Sequence, residues 1–249
     1  MSIEKERLST ALFLPPWVRM EHKARFIFAA DWCRDKEVLD CACGSGEGTA
    51  IFAQTASRVY AVDISKEALK EAEARVSGGG NVSFLEGSAI DLPMKDGSVD
   101  VYVSLETIEH LDSDDTYLRE AYRVLRDDGI FICSTPNRAV TNPGKTISEK
   151  PANPFHVREY DEDQFLDILN RYFDSIVLHG QNPAVPGAVR MLNVLGSFLP
   201  FNFATRIHQL NKLILHTFRD INFYQIRRQK EGEIFEYMTA VCSKRPVQK

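Results

Sequence analysis

Apolar and polar positions alternate in blocks along the first two thirds of the chain. A short apolar run at Val38-Leu39 is followed by a glycine-rich turn and then by Ala50-Ile51-Phe52-Ala53, which has the spacing of one helix face. Arg58–Asp63 reads as a second short buried strand. Lys66 to Ser77 sets alanines, a leucine and charges at helical spacing, with Ser65 as N-cap and Gly78-Gly79-Gly80 as terminator. Val82–Glu86 and Val99–Ser104 read as further strands, the second entered through Lys95-Asp96-Gly97-Ser98. Asp115 to Leu125 is amphipathic, and Asp127-Asp128-Gly129 turns it into a fifth strand, Ile130–Ser134. Strands alternating with helices imply a mostly parallel sheet covered on both faces. Ligands in such sheets lie at the carboxyl ends of the strands. The glycine turn, Asp63, Gly87-Ser88 and Ser104-Leu105-Glu106 are all expected there.

After Ser134 the pattern loosens. A long loop runs through Pro143, Pro151 and Pro154, followed by a helix over Asp161 to Asn170 and a strand over Phe173 to Leu178. Residues 182–232 break the alternation with interleaved apolar and basic positions, among them Leu192, Phe198, Leu213, Arg190, Arg206, Arg227 and Arg228. A last strand, Ile234 to Cys242, closes the chain. The expectation is one α/β domain over 1–249. It has an N-terminal helical segment over the cofactor (1–35), a core (36–181 and 233–249) and a helical substrate-cap insertion (182–232). The cap is expected to meet phosphates of an anionic acceptor, to act as a dimer contact, or to give weak membrane-surface association.

The turn Asp40-Cys41-Ala42-Cys43-Gly44-Ser45-Gly46-Glu47-Gly48 carries the first chemical signal. Glycines between a strand and a helix let backbone N–H groups approach a ligand closely, and an acid closing the next strand, Asp63, can accept from both hydroxyls of a ribose. That pair predicts an adenosine-containing cofactor. The spacing Gly-x-Gly-x-Gly is not the dinucleotide fingerprint Gly-x-Gly-x-x-Gly, which counts against NAD.

Composition adds exclusions. The chain has 30 basic and 35 acidic residues and a formal charge of −5, which argues against DNA and disfavours RNA as a partner held by overall charge. No run approaches the roughly 20 apolar residues of a membrane span, and the N-terminus lacks a secretory h-region, so a cytoplasmic protein is expected. Five cysteines, Cys33, Cys41, Cys43, Cys133 and Cys242, lie in or beside apolar segments and read as buried free thiols. Cys41-Ala42-Cys43 lacks the second pair that a tetrahedral metal site needs.

In register, these fragments resemble the class I S-adenosylmethionine-dependent methyltransferases. Val38–Gly46 is similar to that family's first motif, and Ala61-Val-Asp-Ile-Ser65 to its ribose-binding segment. Gly87–Pro93 with Asp96–Asp100 is similar to its adenine-side loop and fourth strand. Glu106-Thr-Ile-Glu-His110, Arg123–Gly129 and Ser134–Asn137 complete the series. The resemblance implies a Rossmann-like, doubly wound, seven-stranded sheet, mostly parallel, with an antiparallel last strand and a helical insertion before it. It implies that Asp40, Gly44, Gly46, Asp63, Ile64, Ser88, Ala89 and Leu105 hold S-adenosylmethionine, with Ser88 where the family often has an acid. His22–Phe26 resembles a segment over the cofactor, so Arg25 either pairs with the cofactor carboxylate or is a surface arginine.

An oxygen acceptor must lose a proton, and His110 and His156 are the candidate bases. Glu106, Glu109, His110 and His156 also resemble the divalent-metal ligands of small-RNA 3′-terminal 2′-O-methyltransferases. The segments Glu106–His110, His156–Tyr160, Gly180-Gln181 and His22–Phe26 together look like bacterial glycan and O-antigen methyltransferases. The implied activity is methylation of a sugar hydroxyl on a glycan or on a nucleotide- or lipid-linked sugar. Alternatives are O- or N-methylation of another small metabolite, metal-assisted RNA 2′-O-methylation, and a catalytically silent cofactor-binding partner protein.

Overall fold

The computed structural model describes residues 16–76, 80–196 and 224–244. A helix α1 (Pro16–Ala30) precedes the alternating core. The core runs β1 (Glu37–Cys41), α2 (Glu47–Phe52), β2 (Arg58–Asp63), α3 (Lys66–Arg75), β3 (Val82–Glu86), β4 (Val99–Leu105), α4 (Asp114–Val124) and β5 (Leu125–Pro136). Then follow α5 (Arg138–Thr141), α6 (Glu162–Leu169), β6 (Phe173–Ala184), α7 (Pro186–Gly196), β7 (Arg227–Arg228) and β8 (Ile234–Lys244). The expected N-cap is seen where predicted: Ser65 accepts from the Ala68 N–H at 3.2 Å. Asp161 and Gln164 form a reciprocal capping box on α6.

The sheet order is β3-β2-β1-β4-β5-β8-β6-β7. The first five strands pair in parallel, and β8 runs antiparallel between β5 and β6. This is the Rossmann-like α/β fold that the alternation predicts. It has eight strands among the described residues rather than seven, because Arg227–Arg228 pairs with His179–Gly180 at the sheet edge. Backbone pairing made that strand, and two exposed arginines carry no period from which to read it.

Neighbouring residues on the central strands go to opposite faces. Leu39, Tyr102 and Phe131 join one buried cluster, with Phe165 and Phe173; Val38, Val101 and Ile132 join the other, with Phe52 and Cys33. Coverage on both faces explains why these strands read as continuous apolar runs. Each fully buried large side chain contributes about 1.5–3 kcal/mol relative to exposure. All five cysteines are free and buried, as expected. No helix among the described residues is long and apolar enough to cross a membrane.

Strand β1 has β2 on one side and β4 on the other, so the chain leaves its carboxyl end in one direction and later returns on the other side. This reversal opens a crevice at the carboxyl ends of the strands. The chain termini lie outside the described residues, as do residues 77–79 and 197–223, which hold part of the predicted glycine terminator and most of the predicted cap, Phe198, Arg206 and Leu213 included.

Candidate active site

The crevice is a cleft of about 510 Å³. Its floor comes from the turn after β1 and from the ends of β2 and β4. Cys43, Gly44, Asp63, Ile64, Ser88, Ala89 and Leu105 line it. One Asp63 oxygen accepts the Gly44 N–H and the other accepts the Ser65 N–H, each at 2.9 Å. The carboxylate is thereby fixed at the end of β2. Gly44 has φ +55° and nothing within 4 Å of where a Cβ would stand. Ile64, 58% exposed, is the apolar surface beside it.

Three expected cofactor residues lie elsewhere. Asp40 is not a cleft residue; it is buried and accepts from Thr49 Oγ1 at 2.5 Å, tying β1 to α2. Burial first, and the charge of Asp63 after it, push its carboxyl up to about 7. Gly46 caps α2 with φ +78°, and its role is close packing, since a Cβ would stand 2.7 Å from that of Ala72. Arg25 is neither a surface residue nor a cleft residue. It is 1% exposed, donates to Gln181 Oε1 at 2.5 Å, lies over the Tyr237 ring and stands 4.0 Å from Glu106. The α1 residues that do line the cleft are Val18, Arg19, His22 and Phe26.

The opposite wall is built from side chains. Glu106, Glu109, His110, Asn153 and His156 line it, with Pro136 and Tyr237. The His110 and His156 rings meet edge to face at 4.8 Å between centroids. His110 Nδ1 is 3.3 Å from the Phe155 carbonyl oxygen. Glu109 is 1% exposed; Oε2 accepts from Thr135 Oγ1 at 3.2 Å, and Oε1 has no hydrogen-bond partner. Burial, and then the charge of Glu106, push its carboxyl well above the usual range.

The four predicted metal ligands are not assembled as four. One ligand atom each from Glu109, His110 and His156 lies within 4.8 Å of the others. Glu106 is excluded because its backbone takes φ +53°, its N–H donates to the Ser134 carbonyl, and its carboxylate accepts from Ser134 Oγ at 2.7 Å. Both ring nitrogens of His156 are already engaged, Nδ1 by Glu159 Oε1 at 2.6 Å and Nε2 by Asn153 Nδ2 at 2.7 Å. Three of the four expected ligands thus stand close enough to share a cation, with His156 Nδ1 held by the Glu159 carboxylate.

Glu159 was missed as a site residue. It is 2% exposed, and burial opposes its charge. Hydrogen bonds from His156, Thr141 and Asn142 nonetheless hold its carboxyl below the usual value. The three-residue spacing from His156 was the available signal. Arg227, predicted to meet an anionic acceptor, instead lies over the Phe235 ring and pairs with Glu233 at 2.9 Å; neither it nor Arg228 lines the cleft. The described part of the predicted cap, α7, is tied to the acceptor-side loop. Asn193 donates to the Ala139 carbonyl at 2.7 Å and accepts the Gly144 N–H at 3.0 Å.

Residues 39–133 match the protein family described as "Methyltransferase domain". That segment of the chain is similar to a methyltransferase domain. A "Probable S-adenosylmethionine-dependent methyltransferase" of Mycolicibacterium smegmatis is 35% identical over 153 residues, which are 61% of this chain and 57% of that protein. The chain thus spans little more than half the length of such relatives. The YcgJ protein of Bacillus subtilis has the same fold, with TM-score 0.58 and 19% identity over 90% of this chain and 99% of that one. Phosphoethanolamine N-methyltransferase 1 of Haemonchus contortus, solved with phosphoethanolamine and S-adenosylhomocysteine, matches with TM-score 0.57 and 20% identity over 93% of this chain and 44% of that one. The methyltransferase domain takes S-adenosylmethionine as its cofactor. The residues present fit it, with an anchored carboxylate at the end of β2 and an open glycine cradle beside it. The matched segment contains Gly44, Asp63, Ser88, Ala89, Leu105 and His110; His156 and Glu159 lie beyond it.

Proposed function

We propose that this chain is an S-adenosylmethionine-dependent O-methyltransferase acting on a hydroxyl of a sugar, free or within a glycan or linked sugar. The observation that carries the reading is the imidazole of His156, buried against the ionised Glu159 on the wall of the cleft facing Asp63. A hydroxyl is a poor nucleophile until its proton has somewhere to go, and a positioned base typically contributes about 10²–10⁴-fold. An amine acceptor would have no such need once deprotonated. The wall is also rich in groups that suit a polyol: the Glu109 and Glu106 carboxylates, the Asn153 amide and His110.

When bound, S-adenosylmethionine supplies an electrophilic methyl group on a sulfonium. The chain's own work is alignment and proton removal. Asp63 would accept from the ribose hydroxyls, the backbone around Gly44 would hold the methionine part, Ser88 and Ala89 would hold the adenine, and Leu105 would close the floor. His156 removes the acceptor proton, with His110 packed against it.

The test is incubation with methyl-labelled S-adenosylmethionine and a panel of methyl glycosides, nucleotide-sugars, ethanolamine, phosphoethanolamine and a hydroquinone, with and without a chelator. Label in a glycoside or nucleotide-sugar, unchanged by chelation, is expected. Label confined to an amine or to the hydroquinone would overturn the acceptor class. Loss of all transfer on chelation would restore the metal.

A further inference from the structure

We infer that Glu159 is the positioning residue for His156, fixing one imidazole tautomer so that Nε2 faces the acceptor as a base, and that the Asn153 amide occupies the place of the acceptor hydroxyl. The inference rests on the methyl-transfer reading and adds to it a relay that runs away from the cleft.

Asn153 Oδ1 accepts the Phe155 N–H at 3.0 Å, which leaves its NH₂ to face His156. That NH₂ stands 2.7 Å from Nε2 and can only donate, so Nε2 must offer a lone pair. The proton of the neutral ring then sits on Nδ1, 2.6 Å from Glu159 Oε1. The two contacts agree on one tautomer. A ring protonated at Nε2 would set N–H against N–H, and a ring turned over would put carbon at both contacts.

Glu159 is oriented in turn. Its other oxygen, Oε2, accepts from Asn142 Nδ2 at 2.6 Å and from the Thr141 hydroxyl. The Asn142 orientation is set independently, since its Oδ1 accepts the Ala152 N–H at 2.7 Å. The relay is therefore Asn142 and Thr141 to Glu159 to His156 to the cleft. Each link is buried or nearly so, and α5 supplies its outer end. A base oriented by a third group is the arrangement that activates hydroxyls in acyl transfer, reached here on an unrelated fold.

The step balances. The acceptor oxygen bonds to the methyl carbon as the methyl–sulfur pair returns to sulfur. The acceptor proton passes to His156 Nε2, and the resulting imidazolium lies against the Glu159 carboxylate. The acceptor hydroxyl takes the Asn153 position at Nε2, with the same direction of approach.

The Glu159→Gln variant gives a sharp test. Asn142 keeps an oxygen at the Oε2 position, so the new amide NH₂ must face Nδ1. The ring then carries its proton on Nε2, and the base is lost while shape is kept. Long-range ¹H–¹⁵N correlation on histidine-labelled protein reads the tautomer directly, with the His156→Ala spectrum assigning the peak. Wild type is expected with a protonated Nδ1 and a bare Nε2, and E159Q with the reverse. On the glycoside or nucleotide-sugar methylated by wild type, E159Q is expected to lose roughly 10²–10⁴-fold in kcat with cofactor affinity within about twofold. A protonated Nε2 in wild type, an unchanged tautomer in E159Q, or a kcat loss below about tenfold would each overturn the inference. If no acceptor on the panel is methylated, the proposed function fails, while the wild-type tautomer still decides the relay.

Discussion

On the floor of the cleft, backbone does the holding: Gly44 and Ser65 N–H groups pin Asp63, and the left-handed Gly44 and Gly46 shape the turn. On the facing wall, side chains do it: Glu159 and Asn153 hold His156 within one loop, and Thr141 and Asn142 at the end of α5 hold Glu159. The difference follows from the tasks. A floor that grips a constant cofactor can be written in a few local residues whose backbone geometry is set by glycine and one acid. A wall that takes up a proton needs directional groups with defined donor and acceptor ends, brought from wherever the chain can supply them. The family match stops at residue 133, which leaves the cofactor floor inside it and His156 with its supports outside.

The comparison breaks if a change on the wall disturbs cofactor binding. His156→Ala is expected to lower kcat by roughly 10²–10⁴-fold while leaving the S-adenosylmethionine Kd unchanged by calorimetry. An equal fall in cofactor affinity would merge the two regions into one. The reverse experiment is Asp63→Ala, which removes the acceptor of two backbone N–H groups and of the ribose hydroxyls. Hydrogen bonds to a charged group are worth about 1.5–3 kcal/mol each, so losing those to two ribose hydroxyls is expected to raise Kd roughly 10²- to 10⁴-fold. At saturating cofactor the kcat of this variant should stay within a few-fold of wild type.

The same contrast explains what could be read in advance. Strands β1 to β5 were legible because each is an apolar run buried on both faces, and Asp63 because it ends one of them beside a glycine turn. Arg25 was not. It shares a buried face of α1 with Glu21 and Ala29, and what answers its charge there, Gln181, 156 residues away, and Tyr237, is remote in sequence. Gln181, Asn182 and Pro183 lie beyond the strand expected to end at Leu178, yet β6 continues through them to Ala184. Their polarity is answered by Glu21, Glu236 and the Tyr224 carbonyl rather than by solvent. Glu159 sits in a loop with no period to mark it. Glu159 and Asn153 lie only three residues from His156, but in a loop that spacing marks no face, so the wall was legible in its histidines and not in what orients them.

Two smaller changes sharpen the account of the floor. Gly46→Ala places a Cβ 2.7 Å from that of Ala72 and 2.8 Å from its Cα, at φ +78°. The left-handed backbone costs about 1–2 kcal/mol and the overlap about 1–3 more, so a melting temperature lowered by several degrees is expected. Cofactor affinity should fall only as far as the turn moves, because the Gly46 position is one of packing. An affinity loss without a stability loss would make it a contact residue after all.

Asp40→Asn asks whether an acid in the first motif works through the ligand or through the fold. Its carboxyl is pushed up to about 7 in the folded chain against an ordinary value of 3.8, by burial first and by Asp63 second. The sign follows from linkage. The folded state holds the proton more tightly, so the stability this group contributes is fully present below pH 3.8 and is lost as pH rises through about 7. Asparagine keeps an oxygen for Thr49 Oγ1 and has no charge to desolvate. The variant should therefore melt less pH-dependently than wild type between pH 5 and 8, gaining most, on the order of 1–3 kcal/mol, at the upper end. Cofactor affinity should not change, since Asp40 faces α2 and the cleft lies beyond Gly44. If D40N instead loses cofactor binding with an unaltered stability profile, the floor is held by side chains too, and the contrast between backbone and side-chain construction is wrong at its nearest point to β1.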